Sequence, residues 1–209
     1  MNKELSKILK DRIAADPKIN FLDVIAGLAQ TVRYSEAVEG GTFVYKSMPV
    51  AYDVIGSDSC YVSPEKAIIP DSQKKGILYF EETGTNVSSY RKLKGGEYSS
   101  NLTLVCWVNK AQLGYDTTEE ITAILVSLLL DALVTNNNRD NVGSFIGIHV
   151  TPTRINTQDN SVFNKYTYDE EATQYLRPPF EYFSIMINVT YKLNPNCLQP
   201  FELKNKLCY

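Results

Sequence analysis

Few residues in this 209-residue chain have the type and spacing that chemistry requires. His149 is its one histidine and sits inside the apolar run Phe145–Val150. A catalytic imidazole needs a nucleophile beside it or a carboxylate to orient it. No such partner is marked by spacing, so a structural role is the stronger reading. Asp169-Glu170-Glu171 is the densest acidic cluster and would suit a cation or Arg side chains, but a solvated charge run is the commoner meaning. Asn136–Gly143, NNNRDNVG, is rich in oxygen ligands like a calcium loop. It lacks the glycine at the sixth position and the terminal bidentate Glu, and reads as a polar turn.

Arg91, Lys92 and Lys94 beside Gly95-Gly96 would fit a phosphate backbone or an acidic partner. With Glu97 adjacent, a solvent-facing hairpin tip fits better. Gly40-Gly41 and Gly95-Gly96 lack the Lys-Ser/Thr of a P-loop and the GxGxxG context, so nucleotide binding is not supported. Cys60, Cys106, Cys197 and Cys208 form no CxxC pair and suggest no zinc site. Free thiols are expected, with Cys106 a small buried hydrophobe in a strand; a Cys197–Cys208 bridge across the terminal segment is the lesser alternative. The sequons at Asn86, Asn101 and Asn188 carry meaning only in a secreted chain. The residues therefore give no catalytic set, no metal site and no cofactor site.

Composition agrees with an ordinary globular protein: 44 % apolar, 22 % charged, net charge −3. A mildly acidic chain is a poor candidate for broad nucleic-acid binding. The start, MNKELSKILKDRIAADPK, is amphipathic without an apolar core segment, so no secretion signal is expected. The longest apolar run, Ile121–Leu133, contains Ser127 and Asp131 and is too short to span a bilayer. A protein made in the cytosol, or held in an assembly built there, is expected.

The positioning elements follow from periodicity. Lys3–Ala15 predicts a helix with Leu5, Ile8, Leu9 and Ile13 on one stripe, ended by Asp16-Pro17. Phe21–Val32 fits helix or strand. Thr42–Val54 predicts a strand that Pro49 interrupts or places at an edge. Lys75–Glu82 and Tyr90–Leu93 predict two short strands around a turn-rich Thr83–Ser89. Tyr98–Asn109 predicts a strand with Leu102, Leu104, Cys106 and Val108 on one face and Val105 and Trp107 on the other, so both faces are covered. Thr117 and Glu120 fit a capping box. Ile121, Ile124, Leu125, Leu128, Leu129 and Ala132 then form a helical core stripe, widened by Val126, Leu130 and Leu133. Such a helix calls for a second partner beyond the sheet, and a neighbouring subunit is a plausible one. Phe145–Thr151 is a further strand.

The strongest strand pattern is Phe183–Leu193, in which Phe183, Ile185, Ile187, Val189, Tyr191 and Leu193 alternate with Ser184, Asn188, Thr190 and Lys192. The preceding segment, about 152–181, is longer than a compact domain needs yet carries Phe163, Tyr166, Tyr168, Tyr175 and Phe180. Two readings exist. The aromatics fold back as a satellite cluster, or they anchor a subunit interface. The second is favoured by length. The residues alone thus predict one α+β domain, 1–209, with an arm at about 152–181, a C-terminal tail at 194–209 and no visible active site.

The order of these elements carries a resemblance. A strand ending LVCWVN at Leu104–Asn109, the helix Thr117–Leu133, the strand Phe145–Thr151, a long excursion and an aromatic-rich final strand resemble the tail-terminator or neck-ring proteins of tailed bacteriophages. The match is a pattern of elements over Tyr98–Leu193, under half of the chain. In general character the chain also resembles ring proteins of crAss-like phages. The resemblance implies a small antiparallel sheet against two helices with a protruding arm. It also implies a ring homo-oligomer, sixfold or twelvefold, in the neck of a virion. Its partners would be the portal and other neck-ring or tail proteins, with DNA passing through the lumen without sequence-specific binding. It implies no enzyme activity, no cofactor and no membrane. A low acidic charge suits a conduit that must not grip a polyanion. An adaptor or baseplate-like component of another contractile or secretion apparatus is the alternative, and a small enzyme is a distant third.

Overall fold

The computed structural model describes residues 1–37, 43–52, 67–91, 95–116, 118–135, 141–142, 144–157, 163–167 and 176–194. Helix α1 spans Asn2–Ala15, and strands β1 and β2 span Val24–Ala37 and Phe43–Ala51. Strands β3 and β4 span Gly76–Arg91 and Gly95–Asn109; a 3₁₀ turn at Ala111–Leu113 leads to helix α2, Thr122–Val134. Strands β5, β6 and β7 span Asn141–Val142, Phe145–Thr157 and Phe180–Leu193. They form one seven-stranded sheet in the order β2-β1-β3-β4-β7-β6-β5.

The α+β class holds, but the sheet is mixed rather than antiparallel. β1 and β3 pair in parallel, Val24 with Ile77 and Ile25 with Leu78. The reason is the β1–β2 hairpin. It places β2 at the outer edge with Ala51 opposite Ala29, close to the beginning of β1. β3 sets out from that same end on the other side of β1 and so runs with it. β2 is an edge strand, where Pro49 can sit because edge strands tolerate a missing amide donor. Phe21–Val32, ambiguous by pattern, belongs mainly to β1.

The short strand predicted at Lys75–Glu82 and the start of the one predicted at Tyr90–Leu93 belong to one strand, β3, which ends at Arg91; Lys92 and Leu93 lie outside the described residues. The turn-like residues between them are absorbed by two irregularities in the β3–β4 ladder, at Glu82/Gly84 and Val87/Ser89. Gly84 takes φ 144° there, a region suited to glycine. A bulge lets a polar, glycine-bearing stretch remain in a sheet, which local turn chemistry alone does not reveal.

Both helices cover one face. Leu5, Leu9 and Ile13 of α1 and Leu125, Leu129 and Leu133 of α2 pack on Leu78, Phe80, Leu102, Leu104, Cys106, Phe183, Ile185 and Ile187. Polar anchors fix α1. The Asn2 side-chain amide donates to Glu82 Oε1 at 2.7 Å and Thr85 Oγ1 at 2.6 Å, and Ser100 Oγ donates to Asn2 Oδ1 at 2.7 Å. Ser6 Oγ accepts the Leu28 amide at 2.9 Å. Arg12 Nη1 donates to the Leu133 carbonyl at 2.9 Å, joining α1 to the end of α2. So α1 is one of the additional partners that α2's wide apolar surface requires.

The helix starts later than the predicted capping box at Thr117 and Glu120 requires. α2 begins at Thr122, and its N-cap, Ile121, makes no side-chain cap bond. Asp116 Oδ1 instead accepts the Thr118 amide and hydroxyl, both at 3.0 Å. That local turn delays the helix, as short acidic side chains often do. Thr117 lies outside the described residues.

The sheet's second face carries a smaller core of Ala26, Ala51, Ile77, Tyr79, Val105, Trp107, Phe163 and Tyr166. Cover on both faces of β4 is therefore as expected. Gly76 is needed where the chain enters β3: a Cβ there would lie 2.7 Å from the Phe21 carbonyl oxygen and 3.1 Å from that of Trp107.

Candidate functional site

The predicted arm is shorter than its sequence suggests. Residues 152–157 belong to β6 and pair with β7, Pro152 with Ile187 and Thr157 with Phe183. Phe163 and Tyr166 are buried in the second core, and Phe180 stacks on Trp107 with ring centroids 5.3 Å apart. Phe163 also meets Tyr182 edge-on at 5.6 Å. The Tyr166 hydroxyl and Lys165 Nζ both donate to the buried Glu81 carboxylate. For these three aromatics, of the two sequence readings, the satellite cluster is what the structure displays. Their apolar area is used within the chain. Tyr168 and Tyr175 lie outside the described residues.

The other sequence candidates do not converge. His149 is half-buried in β6 opposite Thr190. It borders a small polar depression with Glu97, Thr190 and Lys192. Asp169-Glu170-Glu171, Lys92 and Lys94, Cys60, Cys197 and Cys208 lie outside the described residues. Of Asn136–Gly143, Asn141–Val142 form the edge strand β5. Cys106 is a free, buried thiol whose pKa burial pushes up, which makes it inert packing. Among the described residues, no group of three or more His, Cys, Asp or Glu side chains is placed to hold a metal ion, and no helix is long and apolar enough to cross a membrane.

A roomier groove lies elsewhere among the described residues. A groove of about 690 Å³ runs between α2 and the end of β6, lined by Glu120, Ala123, Val126, Leu130, Ile155 and Glu181 among others. Its head is a buried ion pair. Lys110 Nζ is 2.9 Å from Glu181 Oε1, the side chains being 6 % and 8 % exposed. The Glu119 carbonyl accepts a second Lys110 bond at 3.0 Å, and Thr122 donates its hydroxyl to Glu181 Oε2. Lys110 follows β4, Thr122 opens α2 and Glu181 belongs to β7. The triad therefore pins three elements at one point. Its charges are committed to one another, and it positions the groove wall without offering a free acid or base.

Sequence reasoning missed this pair, because Lys110 and Glu181 are 71 positions apart. The one local hint is a glutamate in an otherwise apolar and aromatic segment, FEYFSIMINV.

Exposed apolar side chains complete the picture. On β2, Phe43, Val44 and Tyr45 are 64 %, 44 % and 73 % exposed; in the groove wall Ile155 is 45 % exposed, and on α2 Ile124 is 57 % exposed. The two sets belong to opposite ends of the sheet order, β2 on one edge and the β6/α2 region toward the other. Contiguous exposed apolar residues, such as Phe43–Tyr45, are candidates for interaction surfaces, whereas scattered ones are not. No protein-family model and no curated protein matches this chain.

Proposed function

We propose that this chain is a structural subunit of a closed ring, of the kind that joins portal to tail in the neck of a tailed phage and forms part of the DNA conduit. The observation that carries the reading is the pair of dissimilar apolar surfaces at opposite ends of the sheet. A contact between two different surfaces is heterologous. It cannot close a twofold dimer, but it closes a ring when the rotation between copies divides a full turn. The α+β fold and the order of elements over Tyr98–Leu193 support the same reading.

The chain's polar surface supports the conduit role. On the second face of the sheet, beyond the small core, Asn188 Nδ2 donates to Ser99 Oγ at 2.6 Å and to Asn101 Oδ1 at 2.8 Å. Glu97 and Lys192 are cross-strand partners there. Polar groups bonded to one another, with an acidic and a basic residue opposite each other, give a polyanion little to grip and little of the counterion release that drives tight binding.

The test is the native mass of the purified chain, with negative-stain images of the same sample, alone and with a candidate portal protein. Closed rings in either sample are expected. A chain that stays monomeric in both would remove the basis of the proposal.

A further inference from the structure

We infer that the ring contact is a sheet extension between copies, in which the exposed β2 segment Phe43–Tyr45 of one copy docks along the outer edge of β6 and into the α2 groove of the next. The inference rests on the ring reading and adds the two surfaces that meet.

Three observations carry it. First, no described strand pairs with either edge at these places. Among the described residues, β5 pairs only with Phe145 and Ile146, so no strand covers β6 over Thr151–Thr157. On β2 the inner half is already taken: the Ser47 carbonyl accepts the Thr167 amide and the Pro49 carbonyl accepts the Ile68 amide, both at 2.7 Å. No described strand lies beyond Phe43–Tyr45. An edge of unpaired backbone groups is a template for another strand.

Second, the groove sits where the side chains of an added strand would go. Ile155 pairs with Ile185, a residue of the main core, so it faces the helices. It is nevertheless exposed, because the sheet stops there while α2 continues past it with Ala123, Val126 and Leu130. One more strand would cover Ile155 and fill the space beneath α2.

Third, faces and charges match. Ala51 belongs to the second core, and the β1–β2 ladder is regular from Ala51 back to Phe43. Alternation therefore puts Phe43 and Tyr45 on the second face and Val44 on the helix face. Arg154 pairs with Met186, which alternates with the core residue Ile185 and so also lies on the second face. Continuing one sheet into the next thus brings the two aromatic rings to the face of an exposed arginine, a favourable cation–π arrangement, and sets Val44 toward the groove. Arg33 and Lys46 flank the apolar run on one copy, while Glu120 lies in the groove wall on the other.

The test uses two full-length variants, Tyr45→Lys on the β2 edge and Ile155→Lys on the groove edge. Tyr45 is largely and Ile155 nearly half exposed, so folding should survive; circular dichroism and the melting midpoint check this. Under whichever condition the parent chain assembles, alone or with a portal, each variant alone should lose the ring. An equimolar mixture should form a two-chain species and nothing larger, because one intact edge of each kind remains. Two wild-type-like rings would overturn this pairing and leave the ring reading intact. A ring lost only with Tyr45→Lys would point to contact between like β2 edges and overturn it equally. A parent chain that assembles under neither condition would refute the ring reading itself, and the inference with it.

Discussion

Replacing Lys110 with Met should destabilise the protein by about 3–5 kcal/mol, the usual cost of stranding one member of a buried ion pair. The magnitude follows from the site. Lys110 Nζ and Glu181 Oε1 are 2.9 Å apart and almost wholly removed from water. At an effective dielectric constant of about 20, the attraction at that distance is about 6 kcal/mol. Desolvation of both ions offsets much of it. In the Met variant the Glu181 carboxylate keeps only the Thr122 hydroxyl among its side-chain partners here and must stay buried, protonate or tear the start of α2 away from β7. Glu181→Leu should cost a similar amount by stranding the ammonium, softened by its bond to the Glu119 carbonyl. The double variant, Lys110→Met with Glu181→Leu, should lose less than either single one, since matched apolar replacements remove the desolvation penalty along with the attraction. Urea denaturation at pH 7 with linear extrapolation measures all three differences. Typical domains hold about 5–15 kcal/mol in total, so the single losses would be plain. A loss under about 1 kcal/mol for Lys110→Met, within the range of exposed pairs, or a double variant worse than both singles would refute the account of this site.

Two further outcomes are expected. Gly76→Ala should destabilise by about 1–3 kcal/mol, because the new Cβ meets the Phe21 and Trp107 carbonyl oxygens, which as backbone cannot step aside; a denaturation midpoint equal to the parent's would show that this entrance has slack. Tyr191 has its pKa raised by burial, opposed by its hydrogen bond with Ser100. Its contribution to stability is complete below the unfolded tyrosine pKa of about 10 and is lost as pH rises through the folded value. Tyr191→Phe should therefore lessen the alkaline loss of stability relative to the parent as pH rises above about 10, the unfolded tyrosine pKa; parallel curves would disprove the linkage.

Sequence alone determined the local periodicities and what they bury. α1 shows Leu5, Leu9 and Ile13 at helical spacing, and all three are buried as the stripe requires. β7 alternates from Phe183 to Tyr191, and that set forms the floor under the helices. The two-sided apolar pattern of β4 correctly signals cover on both faces, and Cys106 is the buried hydrophobe its surroundings imply. Each of these is a one-element property, set by the angle between successive side chains.

Only the tertiary structure decided how those elements meet. The parallel β1–β3 pair depends on which end of the hairpin the chain leaves, and periodicity does not encode direction. The unity of β3 depends on bulges that a partner strand holds in place. α2 starts only at Thr122, after a local turn in which Asp116 accepts the Thr118 amide and hydroxyl. The segment after β6 looked like an arm because aromatic residues at an interface and in a satellite core have the same composition; Trp107 and Tyr79, far away in sequence, recruit Phe163, Tyr166 and Phe180 to the chain's own second core. The buried Lys110–Glu181 pair and the open groove beside it depend on the distance between β4, α2 and β7. That distance is fixed by packing across the whole sheet, and no local run of residues carries it.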